Sequence, residues 1–323
     1  MRKHRLVFFQ IMLLLFFSAC STIPRNTAQR DTGDFSLLPS GGQLYLWADI
    51  NESRVLLDNV SFEGMQLNQA SAILDRTNTA TAVFFGKAET EDAANQGAVY
   101  FLNLRGSFPS FQAGFSFTFS RDWKRNQSIT GNSFWQSQGM RISLAMNSNL
   151  ALVSAGDPFL MLPANSRIPA VRVPDGFDEF RQGSVVSGWI PDNELVNKFL
   201  SDLSLPIQIP AEAFFFKAKK PDAFGESLQG GAELTDLWEL EFLIRTPTAN
   251  QSQGLLMLFS IARPFIMSFS VSSEKQSLMD FIPALFANQP SRDGADLMLK
   301  SASFTTGELA LLFNIISVYS NQQ

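Results

Sequence analysis

One histidine, His4, and one cysteine, Cys20, stand in 323 residues. Beyond Cys20 the chain holds no imidazole and no thiol. That excludes Ser-His-Asp and Cys-His catalysis from its body, zinc sites built on His or Cys, and haem held by either. Charge is scarce as well, at 17% of residues where an average domain has about 25%. No run of five basic residues occurs, and the nearest approach is Lys217-Ala218-Lys219-Lys220, so nucleic-acid binding has no electrostatic footprint. Walker loops, dinucleotide glycine fingerprints and calcium loops are missing too. Neither a cofactor nor a metal is expected.

What the N-terminus does contain is ordered. Arg2, Lys3 and Arg5 precede the apolar stretch Leu6–Phe17, broken only by Gln10. Twelve helical residues cover about 18 Å, too little for a hydrocarbon core of about 30 Å. A basic start, a short apolar stretch and small residues (Ser18, Ala19) before Cys20 read as a secretory signal over 1–19. Phe17-Ser18-Ala19-Cys20 resembles the lipobox of bacterial lipoproteins, with Phe in place of the usual Leu, as in the looser lipoboxes of spirochaetal lipoproteins. The resemblance implies that Cys20 is lipidated, becomes the new N-terminus and fixes the protein to a membrane of the cell envelope. It also explains a cysteine that would otherwise be a reactive liability in an exported chain. Two or three acyl chains hold a bilayer far more firmly than one. Without residues 1–19 the chain has 22 basic residues against 30 acidic, a net charge of −8, which leaves the lipid as the membrane contact. Residues 20–40 read as lipidated cysteine and flexible tether.

Hydrophobic residues make up 45% of the chain, and Phe occurs 31 times against three Tyr. So many rings beside so few charges predict a large core, with room for an apolar cavity or a partner face.

Beyond the tether the chain repeats itself. Residues 41–60 match 183–203, pairing Trp47 with Trp189, Asn51 with Asn193 and Glu52 with Glu194. Then 80–88 match 211–219, and 98–106 match 238–246, pairing Arg105 with Arg245. Three blocks in one order at near-equal spacing predict a duplication, with a first α+β repeat over 41–160, a proline-containing connector over 161–181 and a second repeat over 182–323. Each half reads as a strand (42–49 in the first), a short helix after Asn51 or Asn193, and two strands (80–88 and 97–105; 211–219 and 233–245). A helix follows in each, over 109–121 and 252–263. Residues 132–156 then give three strands. The end of the chain gives a strand near 265–271, a helix near 274–287, a strand near 295–303 and a last helix opened by the capping box Thr305/Glu308. The expected class is α+β, two tandem ferredoxin-like (split β-α-β) units with a largely antiparallel sheet.

Chemistry is sparse. Ser272-Ser273-Glu274-Lys275 matches a Ser-x-x-Lys pattern, but its Lys-Thr-Gly companion is absent. Asp49 with Glu52, and Asp192 with Glu194, read as acids at helix starts, and Asp157 as a turn residue before Pro158. No catalytic residue is assigned. Trp47 and Trp189 read as core rings that can also line a shared site; Arg105 and Arg245 read as ion-pair residues that can also hold an anion. The expected function is a membrane-anchored envelope lipoprotein serving as a non-catalytic scaffold or binding module, through a protein partner. The alternatives are a carrier or sensor of an apolar ligand such as a lipid, and a histidine-free carboxylate hydrolase.

Overall fold

The computed structural model describes residues 35–59, 73–85, 100–109, 117, 120–139, 141–166, 168–194, 196–197, 208–221, 236–268 and 278–312. Cys20, the signal, the tether to residue 34, the core of the 109–121 helix and the 272–275 motif lie outside them.

Thirteen strands are described, of which β1 and β12 alternate buried and less buried side chains most plainly: β1 Leu44–Asp49, β2 Thr77–Phe84, β3 Tyr100–Gly106, β4 Trp123–Gln127, β5 Ser133–Ser137, β6 Ser143–Met146, β7 Leu150–Ser154, β8 Val186–Ile190, β9 Ala213–Lys219, β10 Leu237–Arg245, β11 Ser291–Asp293, β12 Asp296–Lys300 and β13 Phe304–Thr305. The described helices are α1 Ile50–Leu57, α2 Phe177–Phe180, α3 Ala249–Ser268 and α4 Leu278–Leu285, and residues 306–312 are also helical. The strands form one sheet in the order β11-β12-β10-β9-β8-β1-β2-β3-β7-β6-β5-β4, with β13 also beside β10. Every described ladder is antiparallel.

The central ladder joins β1 to β8, pairing Tyr45 with Trp189 and Trp47 with Ser187. Outward from it, one arm runs β1-β2-β3-β7-β6 and the other β8-β9-β10-β12-β11. The pairs along these arms set Val83 against Lys217, Phe101 against Lys217's neighbour Glu241, and Arg105 against Arg245 as answering positions. The expected matches of Trp47 with Trp189 and Arg105 with Arg245 have the same register; the match of 80–88 with 211–219 is out by three.

The split β-α-β expectation is corrected. In that unit the first and third strands lie side by side in parallel. Here β1 pairs with β2, and β8 with β9, both antiparallel. The connection after β1 leaves and returns at one end of the sheet, where Asp49 faces Thr79, so it makes no crossover. Other corrections are local. Residues 265–268, expected to open a strand, continue α3 through Pro264, whose missing N–H costs one helical bond. Phe35 and Leu38, expected in the tether, are buried core. α1 starts two residues earlier than expected: Asp49 is its N-cap, and the Glu52 N–H donates to Asp49 Oδ1 at 3.1 Å. The Thr305/Glu308 capping box is present, with the Thr305 N–H donating to Glu308 Oε2 at 2.8 Å and the Glu308 N–H to Thr305 Oγ1 at 3.3 Å.

Alternation puts Tyr45, Trp47, Val83, Phe101, Leu152, Trp189, Phe215 and Leu243 on one face, in a single apolar cluster. Phe35, Leu38, Phe177 and Phe180 close over that face, with Val171 and Val173 packed beside them. The 161–181 connector is therefore a cover for the core. On the other face α3 packs Leu255 and Phe259 against Ile244, Leu297 and Leu299.

Candidate functional site: an aromatic cleft and a polar row

Tyr45 and Trp189 stack across the central ladder, their centroids 4.7 Å apart and their planes 10° from parallel. Phe35 and Phe177 meet the Trp189 ring edge-on at 4.8 and 4.7 Å. The Gly42 N–H donates to the Tyr45 hydroxyl at 2.8 Å, and that hydroxyl donates to Pro39 O at 3.1 Å. Burial pushes the Tyr45 pKa up, against the opposing effect of the Gly42 bond. Any side chain at residue 42 would run into Val83 and the Tyr45 ring, so only glycine lets the chain pass this close.

Beside this stack, at the ends of β1, β8 and β9, opens a cleft of about 620 Å³. Tyr45 and Trp189 reach its wall, and Gln43, Arg172, Asp192 and Glu212 give it polar groups. Asp192 is also engaged in a turn, its Oδ1 accepting the Glu194 N–H at 3.0 Å. That is the helix-start role read from the sequence.

One residue-pair further along the strands, the same face turns polar. The ladders set Lys300, Glu241, Lys217, Ser187, Trp47, Thr81 and Asn103 side by side across β12, β10, β9, β8, β1, β2 and β3. At one end Glu241, 4% exposed, takes Lys217 Nζ at 3.1 Å, Lys219 Nζ at 3.1 Å and Lys300 Nζ at 3.4 Å. Burial alone would raise the Glu241 pKa, but the hydrogen bonds and charges of Lys217 and Lys219 outweigh it and hold the carboxyl below its usual range. Lys217 also donates to Phe180 O at 2.8 Å and lies 4.8 Å from the Phe180 ring centroid.

The other end is different. Ser187 Oγ, Trp47 Nε1, Thr81 Oγ1 and both side-chain polar atoms of Asn103 are buried, and none has a hydrogen-bond partner among the described residues. Asn103 is 1% exposed, Thr81 4%, Ser187 0% and Trp47 6%. Each unsatisfied buried group costs about 1–3 kcal/mol. Five such atoms rival the whole stability of a domain, about 5–15 kcal/mol. Over the Trp47 ring, 5.6 Å from its centroid, lies the Arg181 guanidinium, which donates from Nε to Asp178 Oδ1 at 2.9 Å.

Trp47, Trp189, Arg105 and Arg245 share this face of the sheet. Trp47 and Trp189 are core, on adjacent strands, and Trp189 also reaches the cleft. Arg245 holds Asp296 with two bonds, Nε to Oδ1 at 2.9 Å and Nη2 to Oδ2 at 2.8 Å. It also donates to Asp175 O and lies over the Phe215 ring; its pKa is raised chiefly by the Asp296 bond. That ion pair is the reading made from its position. Arg105 faces Leu150 where Arg245 faces Asp296. Asp157 is a turn residue, its Oδ1 accepting the Phe159 N–H at 2.9 Å. Sequence reasoning missed Tyr45, Thr81, Asn103, Ser187 and the Glu241 cluster, because strand register alone brings them together. Among the described residues no group of three His, Cys, Asp or Glu is placed to hold a metal, and no helix is long and apolar enough to cross a membrane.

Fold and site define a mixed α/β protein dominated by one large antiparallel sheet with few helices. No family model matches the chain, and no curated protein matches it. Solved structures do. Crystal form I of TP0453 has a TM-score of 0.56 at 14% identity, covering 89% of this chain and 98% of that one. Crystal forms III and IV of TP0453 both score 0.55, at 13% and 15% identity, covering 87% and 86% of this chain and 98% and 97% of theirs. At such identity the likeness is one of fold.

Proposed function

We propose that this protein is a lipid-anchored lipoprotein of the cell envelope, held to the membrane by acylated Cys20, and that it acts by binding rather than by catalysis. We read its two arms as a duplicated unit that meets at the β1–β8 ladder. The observation that supports a binding role best is the cleft of about 620 Å³ beside the Tyr45–Trp189 stack. Its lining mixes apolar Val171, Pro174 and Pro191 with polar Gln43, Arg172, Asp192 and Glu212, and polar groups that converge on a concave site are what fix a ligand's orientation. Its polar rim fits a ligand that hydrogen-bonds better than an acyl chain. The absence of histidine and free cysteine after Cys20 removes the usual nucleophile–base pairs from its walls.

The test is titration calorimetry on the whole chain in detergent, with soluble cell-wall fragments and with envelope phospholipids. A Glu212→Trp variant, whose indole fills the cleft, is run in parallel. Binding that weakens at least tenfold in the variant is the expected result. Turnover of the bound compound, or binding that ignores Glu212→Trp, refutes it. Metabolic acyl labelling tests the anchor: label is expected on the native chain and none on Cys20→Ala.

A further inference from the structure

The orphan row on β8, β1, β2 and β3 is separate from the cleft. We propose that Ser187, Trp47, Thr81 and Asn103 form an internal binding site for hydroxyl groups, supplied by a file of water molecules or by an uncharged polyol that displaces them.

Geometry comes first. Trp47 stands directly opposite Ser187 on one side and Thr81 on the other, and Thr81 directly opposite Asn103. Opposed side chains start about 5 Å apart, yet none of the five polar atoms bonds another within the row. Four strands at about 4.8 Å spacing make the row roughly 14 Å long, so a single hydroxyl cannot reach all five atoms. The chemistry then selects the ligand. Trp47 Nε1 only donates, Asn103 both donates and accepts, and the two hydroxyls do either. An anion would satisfy the donors and oppose Asn103 Oδ1. A cation would satisfy that oxygen and strand the Trp47 and Asn103 N–H groups. A hydroxyl serves both kinds. Of the cations on this face, Arg181 is bonded to Asp178, Lys217 to Glu241 and Arg245 to Asp296. Buried polar groups in native proteins nearly always have partners, ordered water included.

Two measurements on the whole chain in detergent decide the matter. The first is water-oxygen relaxation dispersion, together with magnetisation transfer from water to the Trp47 Nε1–H and Asn103 Nδ2–H protons. Long-lived water at these groups is the expected result, and it disappears in Asn103→Leu. The second is titration with glycerol and trehalose, followed at the Trp47 Nε1–H resonance. A saturable shift, lost in Asn103→Leu, assigns the hydroxyls to a polyol; no shift, with long-lived water present, assigns them to water. Thr81→Val, which keeps the shape and removes the hydroxyl, is expected to lower the Tm by about 2–4 °C. Neither long-lived water nor a saturable shift in the native chain overturns the proposal. So does a Thr81→Val protein that melts at or above the native temperature, since removing a truly unpartnered hydroxyl would stabilise.

Discussion

The two ends of one row answer the same physical problem in opposite ways. On β9, β10 and β12 the buried polar groups are charged and mutually satisfied, with three lysines around Glu241. On β8, β1, β2 and β3 they are neutral and find no partner among the described residues. The answering positions across the β1–β8 ladder sharpen the contrast. Where one arm has Val83 and Phe101, the other has Lys217 and Glu241; where one has Thr81 and Asn103, the other has Phe215 and Leu243. One row of the face is therefore apolar throughout its centre, and its mate across the ladder is polar. The side chains thus divide the face into an apolar row and a polar row.

Breaking the satisfied end carries the largest expected effect. Lys217→Met leaves Glu241 buried with weakened compensation, at a cost of about 3 kcal/mol in urea unfolding. Joining it to Glu241→Met should cost less than Lys217→Met alone, because both charges leave together. A double variant as damaged as the sum of its parts would show that the pair matters through packing.

Acid comes next. The folded Glu241 carboxyl lies below its unfolded value, so its stabilisation is whole above the ordinary Glu pKa of about 4.3. It is lost as pH falls from there through the lowered folded value. Unfolding midpoints followed from pH 6 to pH 2.5 should fall steeply below about pH 4, and Glu241→Gln should flatten that limb. An unchanged limb would place the acid sensitivity elsewhere.

A smaller effect tests the outer positions. Asp296→Leu gives the second arm the residue type that Leu150 supplies to the first, and it removes both Arg245 bonds. Both side chains are about a quarter exposed, so solvent screening limits the loss to about 1 kcal/mol. The cap of α1 should give about as much, with Asp49→Ala lowering stability by about 1 kcal/mol; Asp49→Ser should restore most of it.

How much of this was legible in the sequence follows the range of each interaction. The strands at 42–49, 97–105, 132–156 and 211–219 show in local alternation. The Thr305/Glu308 capping box and the Asp157 turn need only three residues. Phe35 and Leu38 read as tether because their neighbours are polar; their burial depends on a face made by β1 and β8. The helix through Pro264 was hidden because a proline reads as a stop, while the packing of α3 on β12 sustains it. Glu241 looked like any strand acid. Its three lysines come from β9 and β12, and no local pattern records that pairing. The same holds for Thr81 and Asn103, two ordinary polar residues on alternating strands until the register sets them beside Trp47.

The β1–β8 ladder also has a kinetic consequence. Apart from β3 with β7, the strands from β1 to β7 pair with their neighbours in the chain, and such contacts form early. β8 is made of residues 186–190, so β1 must wait for a distant segment before its second side is filled. Until then it is a bare strand edge carrying Tyr45 and Trp47, open to pairing with another copy. The interval before residues 186–190 dock is when a newly made chain is most exposed to aggregation, and a chain truncated before β8 would stay in that state.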